Sequence, residues 1–345
     1  MAKKIYLCYC NNDFLSSLKV EQNISRLNYL LSLYGMTMDD LLSTINKGRK
    51  HLITQNEVFS KDIDISILKK IDKIFDKGLH FYLDPKTLVQ TAEASIFFRK
   101  NSFGTELNIG ARKIVTQFED FKISFSAIAK LADINLNRNL PVYNIGQSAK
   151  NVANQLRKLI YPNHQTKTRK DFLTAIIGKL AERNILVFEF VETWNKKEKA
   201  NIDGFFLCPN VIVLKRNQNA FNREIFTLLH ELGHYLLNEE EIEQVDVLNT
   251  VNSNLSEVER WCNDFAYYFL AGDYSAIIDN MDMADASNDY YHETIEEISQ
   301  KVNLSRIALY TRLLLQGKIS PHNYNLVKTD LDEQYHNWLQ EKKKE

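Results

Sequence analysis

Cysteine is scarce and poorly spaced for cross-linking, with four residues (Cys8, Cys10, Cys208 and Cys262) in 345. A chain of this length draws no disulfide framework from them, and Cys8-x-Cys10 lacks the two-residue spacer of a zinc knuckle or a redox pair. All four are expected to be reduced. Proline is equally sparse. Pro85, Pro141, Pro162, Pro209 and Pro321 each bias the preceding residue away from helix and so act as punctuation between elements. Long apolar runs are missing too. The short patch in MAKKIYLCYCNNDFL is broken by Asn11, Asn12 and Asp13, too early for a secretion signal or a membrane span. No membrane partner is expected, and the expected location is cytoplasmic. There is no internal repeat and no low-complexity tract beyond the terminal EKKKE.

What is present is ordinary globular material: 44% hydrophobic and 25% charged residues, enough chain for two or three cores. Charge is unevenly spread. Residues 1–100 carry 15 Lys and Arg against 11 Asp and Glu, residues 101–200 carry 16 against 9, and the remainder carries 12 against 24. A basic front and an acidic back suit different partners.

Residues 21–84 read as entirely helical. NISRLNYLLSLYG places Ile24, Leu27, Leu30 and Leu31 at helical spacing and stops at Gly35. Thr37 is a good N-cap for MDDLLSTIN, with Asp39 and Asp40 in the first turn. ISILKKIDKIF repeats the pattern through Phe75, with Gly78 as a stop. RLNYLLSLYGMTMDDLL and ILKKIDKIFDKGLHFYLDP are similar to the helices of an Xre/Cro-type helix-turn-helix domain. The piece between them, NKGRKHLITQNEVFSK, departs from that pattern. Lys47, Arg49, Lys50 and His51 are the candidate DNA contacts there, yet no amphipathic helix frames them for a major groove. A bundle that binds protein, or nothing, is the other reading.

Residues 87–140 read as two or three supporting helices carrying Ile114, Val115, Phe118 and Phe121. A helix then starts near Ser148, and KTRKDFLTAIIGKLAERNI is another. From residue 185 the period changes. ILVFEFVE is a strand, and NIDGFFLCPNVIVLKRN gives two more hinged at Cys208-Pro209-Asn210. The strand VIVLKR is expected at a sheet edge, where an extended peptide could pair with it.

FTLLHELGHYLL carries the chemistry. Positions i and i+4 stack on one helix face, so His230 and His234 can point at one ion. Glu231 adjoins the first imidazole and can take a proton from an attacking water without ligating. Phe226, Leu228, Leu229, Leu232, Leu236 and Leu237 cover most of the helix. Two imidazoles and a carboxylate buried there must be paired or metal-bound. Gly233, unfavourable in a helix interior, makes sense where another backbone packs closely.

A catalytic zinc usually has three protein ligands and an open position. A third histidine six residues after His234 would fall at Glu240, and the metzincin glycine at Leu237, so that pattern is absent. Glu239, Glu240, Glu241 and Glu243 lie in a polar run past the helix end and read as solvated surface. The better carboxylate is Glu259 in SEVERWCNDFAYYFLAG, whose Val258, Cys262, Phe265, Ala266 and Phe269 form a buried stripe. Asn263, one turn on, could orient a ligand from behind. A solvent-facing Glu259 beside Glu257 remains the alternative. Tyr267, Tyr268 and His292 are candidate oxyanion stabilisers.

HELGH followed by ERWCNDFA resembles the ImmA/IrrE metallo-endopeptidases, whose signature pairs HELGH with E-x-x-x-N-x-F-A, here Glu259, Asn263, Phe265 and Ala266. Cys262 stands where the family usually has alanine. The likeness runs over roughly residues 95–325, including the tail ISQKVNLSRIALYTRLLLQGKIS. It implies that His230, His234 and Glu259 bind zinc, with another divalent metal such as Mn2+ as an option, and that Glu231 is the general base. It also implies cleavage of one helix-turn-helix repressor or antitoxin in a stress or mobile-element switch. A DNA-binding regulator, or a toxin–antitoxin component that senses a partner without cutting it, is the alternative.

The expected fold class is α+β and mostly helical, a zincin-like domain with a small antiparallel or mixed sheet on the HExxH helix. Four segments are expected: a helix-turn-helix-like, all-α domain at 1–85, a helical support at 86–140, the metallopeptidase core at 141–275 and a C-terminal helical segment at 276–345.

Overall fold

The computed structural model describes residues 18–91, 95–100, 103, 106–162, 167–191, 199–216, 221–243 and 256–342. Cys8 and Cys10 lie outside these. The chain groups into two compact units, one of residues up to Ser102 with Asn108–Gln117, the other of Phe103–Leu107 with everything from Phe118 onward.

The first unit holds strand β1 (Lys19–Glu21), helices α1 (Ile24–Tyr34), α2 (Met38–Ile45) and α3 (Gln55–Val58), strand β2 (Asp62–Asp64), and helices α4 (Ile65–Phe75), α5 (Leu79–Leu83) and α6 (Ile96–Arg99). Local signals set its helix ends. Gly35, at φ 57°, closes α1 by returning its N–H to Leu31 and Ser32, and Thr37 forms a reciprocal capping box with Asp40 at the start of α2. Leu27, Leu30, Leu41, Val58, Ile63, Leu68 and Ile71 are wholly buried in its core.

One expectation fails here. The unit is not all-α, because β1 and β2 pair antiparallel with Val20 opposite Ile63. A three-residue strand is too short to display alternation, and its partner is remote in sequence. As the sequence suggested, no helix among the described residues frames the basic group. Lys47, Arg49, Lys50 and His51 are exposed in a loop, with Gly48 at φ 75°. Asn46 ties that loop shut by donating to the Ile53 carbonyl at 2.8 Å and accepting from its N–H at 2.7 Å. The helix that follows, α3, is one turn.

Helix α7 (Ile109–Leu131) contributes to the first unit through Gln117 and to the second from Phe118. The second unit then runs α8 (Ala149–Ile160), α9 (Arg169–Ala181), β3 (Leu186–Phe190), β4 (Gly204–Leu207), β5 (Val211–Lys215), α10 (Phe221–Leu237), β6 (Ile242–Glu243), α11 (Glu257–Ala271), α12 (Ser275–Asp279), α13 (His292–Lys301), α14 (Arg306–Leu315) and α15 (Pro321–Lys342). Ser148 caps α8 through the Asn151 N–H, as its position suggested.

The strands form one mixed sheet in the order β3-β5-β4-β6. β5 is parallel to β3 and antiparallel to β4, which is antiparallel to β6. The strand expected at the edge is therefore in the middle. Val211, Ile212, Val213 and Leu214 are all buried, and a continuous apolar run is the mark of a strand covered on both faces. No incoming peptide can pair along it.

One hydrophobic cluster runs from Leu140 through α8, α9, the sheet, α10 and α11 to Ile295, Leu309, Leu313 and Leu331. The C-terminal helices expected as a separate segment thus share the core of the sheet, because their apolar faces are completed only there. Among the described residues no helix is long and apolar enough to cross a membrane.

The packing of α10 on α11 turns on a glycine. A Cβ at Gly233 would lie 3.0 Å from the Cα, Cβ and Sγ of Cys262, tighter than nearly all real side-chain contacts, so Cys262 would have to give way by a few tenths of an ångström. A Cβ at Gly178, in the exposed part of α9, would meet nothing. Gly233→Val is expected to lower stability by about 1–3 kcal/mol through overpacking. Gly178→Ala should raise it by roughly 0.5–1 kcal/mol through helix propensity. Urea midpoints at unchanged m-value test both.

Candidate metal centre

Helix α10 is buried from Glu224 to Leu237 and carries His230, Glu231 and His234, each 2% exposed. Helix α11 starts at Ser256, whose hydroxyl accepts the Glu259 N–H at 3.2 Å. This puts Glu259 in the first turn, where the helix dipole favours a carboxylate. With α11 drawn close at Gly233, Glu259 reaches the two imidazoles.

The result is a triangle of donor atoms. His230 Nε2 lies 3.1 Å from His234 Nε2 and 3.1 Å from Glu259 Oε2, and His234 Nε2 lies 3.0 Å from Glu259 Oε1. Three ligands at about 2.0–2.1 Å from a tetrahedral zinc stand roughly 3.3 Å apart, so the triangle is close to the size such an ion imposes. Its chemistry fits as well, with two nitrogens and one carboxylate oxygen, all buried. Among the described residues this is the one group of three or more such side chains gathered within reach of a common ion.

The surroundings prepare the donors. His230 Nδ1 sits 3.0 Å from Asn263 Oδ1. An amide oxygen can only accept, so this contact suits a proton on Nδ1 and leaves Nε2 to be given to an ion when one binds. His234 Nδ1 is buried without a hydrogen-bond partner among the described residues. Burial would raise the Glu259 carboxyl, but the charge and hydrogen bonding of His230 and His234 outweigh it and hold the group well below the usual carboxylate range. It is therefore anionic when facing an ion.

Glu231 stands outside the triangle, on the side of α10 that meets β4. A Cβ at Gly204 would fall 2.7 Å from Thr227 Cγ2, 3.1 Å from the Val213 carbonyl oxygen and 3.2 Å from Glu231 Cγ, so a side chain here would collide first with Thr227 and press on Glu231. Gly204 escaped notice in the sequence. The available signal was a glycine opening an apolar strand, which marks a close approach of backbone.

The remaining candidates divide. Asn263 braces His230. Tyr267 is buried and shares a pocket with Asn263. Burial pushes its phenol up, with Arg312 partly opposing, so it stays a neutral donor. Tyr268 OH instead accepts from Arg312 Nη2 at 2.8 Å, and His292 Nδ1 pairs with Tyr310 OH at 3.0 Å. Glu240, in the acidic run, accepts the Cys208 N–H at 2.8 Å and is no ligand of this centre. Arg312 was not singled out in the sequence.

Two imidazoles and a glutamate from neighbouring helices, with a second buried glutamate beside them and a small sheet alongside, make a metallopeptidase-like centre. Residues 181–314 match the family model of the IrrE N-terminal-like domain, peptidase M78. The match covers both motif helices, supports the ImmA/IrrE resemblance over this region and implies peptidase activity. No curated protein and no solved structure matches the chain.

Metal titration by calorimetry is expected to give one divalent ion per chain, lost in His230→Ala. Asn263→Ala should weaken affinity about 10–100-fold by releasing the imidazole. A second equivalent ion, or unchanged affinity in both variants, would contradict this site.

Proposed function

We propose that this protein is a zinc-dependent, cytoplasmic endopeptidase that cleaves one regulatory protein, a helix-turn-helix repressor or an antitoxin, as a stress or mobile-element switch. The observation that carries the proteolytic part is the 3.0–3.1 Å triangle of His230, His234 and Glu259, with buried Glu231 one residue from the first imidazole. Support for the choice of target is the ImmA/IrrE resemblance alone.

His230, His234 and Glu259 would hold the ion. Bound zinc supplies Lewis acidity, polarising the scissile carbonyl and making an adjacent water easier to deprotonate. Glu231 removes the proton from the attacking water and delivers it to the leaving amine nitrogen. Asn263 keeps His230 in the tautomer and orientation that ligation needs. Gly204 keeps β4 from displacing Glu231. Of the three oxyanion candidates, Tyr267 is the one whose hydroxyl is left without a partner among the described residues, since Tyr268 and His292 are already paired.

The test is co-expression with the repressor-like product of a neighbouring gene, with the purified pair then followed with and without zinc. Metal-dependent cleavage is expected. Glu231→Gln should reduce it about 10²–10⁴-fold while still binding zinc. Gly204→Ala should lower turnover roughly tenfold to a hundredfold by misplacing the base, again with zinc retained. A partner left intact by zinc-loaded wild type would instead assign a sensing role without cleavage.

A further inference from the structure

Behind His230, on the side of its Asn263 brace, lies a half-open pocket of about 40 Å³. One water needs roughly 10–15 Å³ on this measure, so the space takes about three waters or one small organic group. Asn263, Asp264 and Tyr267 of α11 and Thr311 and Arg312 of α14 form its polar side, and Phe226, Leu304 and Leu315 an apolar one.

The polar side offers donors, while its acceptors are already engaged. Thr311 Oγ1 donates to the Ile307 carbonyl at 2.8 Å and contacts Tyr324 OH at 3.0 Å. Asn263 Oδ1 faces His230 Nδ1, which leaves the NH2 of that amide. Asp264 Oδ1 accepts from Arg312 Nη1, and Arg312 Nη2 donates to Tyr268 OH. Two groups remain over. Arg312 Nε and Tyr267 OH are buried with no hydrogen-bond partner among the described residues. Tyr267 is 4% exposed, and burial keeps its phenol protonated. Buried donors left unmade are costly, so this pair points to an occupant that accepts. The Asp264 side chain, 44% exposed, draws solvation from outside, and the guanidinium can serve a second anion through Nε.

The chemistry of that occupant is narrow. A carboxylate only accepts, and its bonds to a cationic donor are the strong kind. A primary amide would bring two N–H groups with no acceptor to receive them. Phosphate would turn oxygens toward Phe226, Leu304 and Leu315 and bury them unpaired. We propose that this pocket binds a carboxylate carried on a short aliphatic stem, held by Arg312 Nε, Tyr267 OH and the Asn263 NH2, and that its occupancy tightens metal binding. The coupling runs through Asn263. A carboxylate on its NH2 favours Oδ1 toward His230 Nδ1, the arrangement that leaves Nε2 for an ion. The binding site stands apart from the peptidase reading, and only the coupling draws on the metal centre.

The test uses full-length protein in a buffer free of carboxylates and phosphate. Propionate is titrated by calorimetry with and without zinc, beside propionamide, inorganic phosphate and N-acetylalanine, which mimics a chain terminus. Propionate is expected to bind one per chain, at least about tenfold tighter than propionamide. Zinc affinity should rise about fivefold in its presence, and propionate affinity by the same factor in the presence of zinc. Tyr267→Phe should weaken propionate about five- to tenfold. Ala308→Leu, which fills the pocket, should abolish both binding and the zinc effect, separating this site from propionate ligating the ion. Each variant serves if the other does not fold. N-acetylalanine binding tighter than propionate supports the site and assigns the carboxylate to a peptide end, and the reverse order assigns it to a free acid. The site is overturned if neither carboxylate binds, if propionamide or phosphate binds as tightly as propionate, or if both substitutions leave the affinity unmoved. Binding without any change in zinc affinity would overturn the coupling. A chain that binds propionate but takes up no zinc would sink the metallopeptidase reading and the coupling, and leave the carboxylate site standing.

Discussion

The close approach of α10 and α11 is the constraint on which the site depends. The two helices meet where Gly233 faces the backbone of Cys262. This lack of a side chain favours the close approach by which Glu259, from one helix, comes within 3.1 Å of imidazoles on the other. Helix propensity alone would disfavour glycine there by about 1 kcal/mol. The position is explained by geometry between helices, not by the stability of either one. Gly204 makes the same kind of allowance on the sheet side, where β4 passes Glu231.

Burial then gives the site its chemistry. A carboxylate with 3% exposure beside two imidazoles with 2% cannot rely on water for solvation, and an isolated ion in such surroundings would neutralise itself. Glu259 stays ionised because the imidazoles counter its desolvation. A divalent cation answers the same demand more completely, satisfying three lone pairs at once. Asn263 removes the tautomeric freedom that would otherwise let His230 turn its proton inward. The second carboxylate, Glu231, is buried on the same helix but outside the triangle.

The legible parts of the fold were those written in local signals. Gly35 and Thr37 end and begin helices where expected, Ser148 starts α8, and Cys208-Pro209-Asn210 separates two strands. The illegible parts depended on partners far along the chain. Ile63 reads as a residue between two aspartates until Val20 pairs with it. VIVLK reads equally as an edge or a central strand, since an apolar run shows that both faces are covered but not which strands flank it. The loop bearing Lys47, Arg49, Lys50 and His51 has the composition of a nucleic-acid contact but is closed by Asn46 into a form with no helix.

For the site itself, the sequence alone determined that His230 and His234 share a helix face with Glu231 at its edge, since the 3.6-residue period leaves no other arrangement in a buried apolar helix. It also singled out Glu259 and Asn263 one turn apart on a second buried helix. Tertiary structure decided whether those helices meet, and in which register, because that depends on the contact at Gly233 and Cys262 and on a core shared from Leu140 to Leu331. It decided equally that Arg312 neutralises Asp264 beside Tyr267. Ion pairs across the chain leave no periodic trace, and only packing brings such residues together.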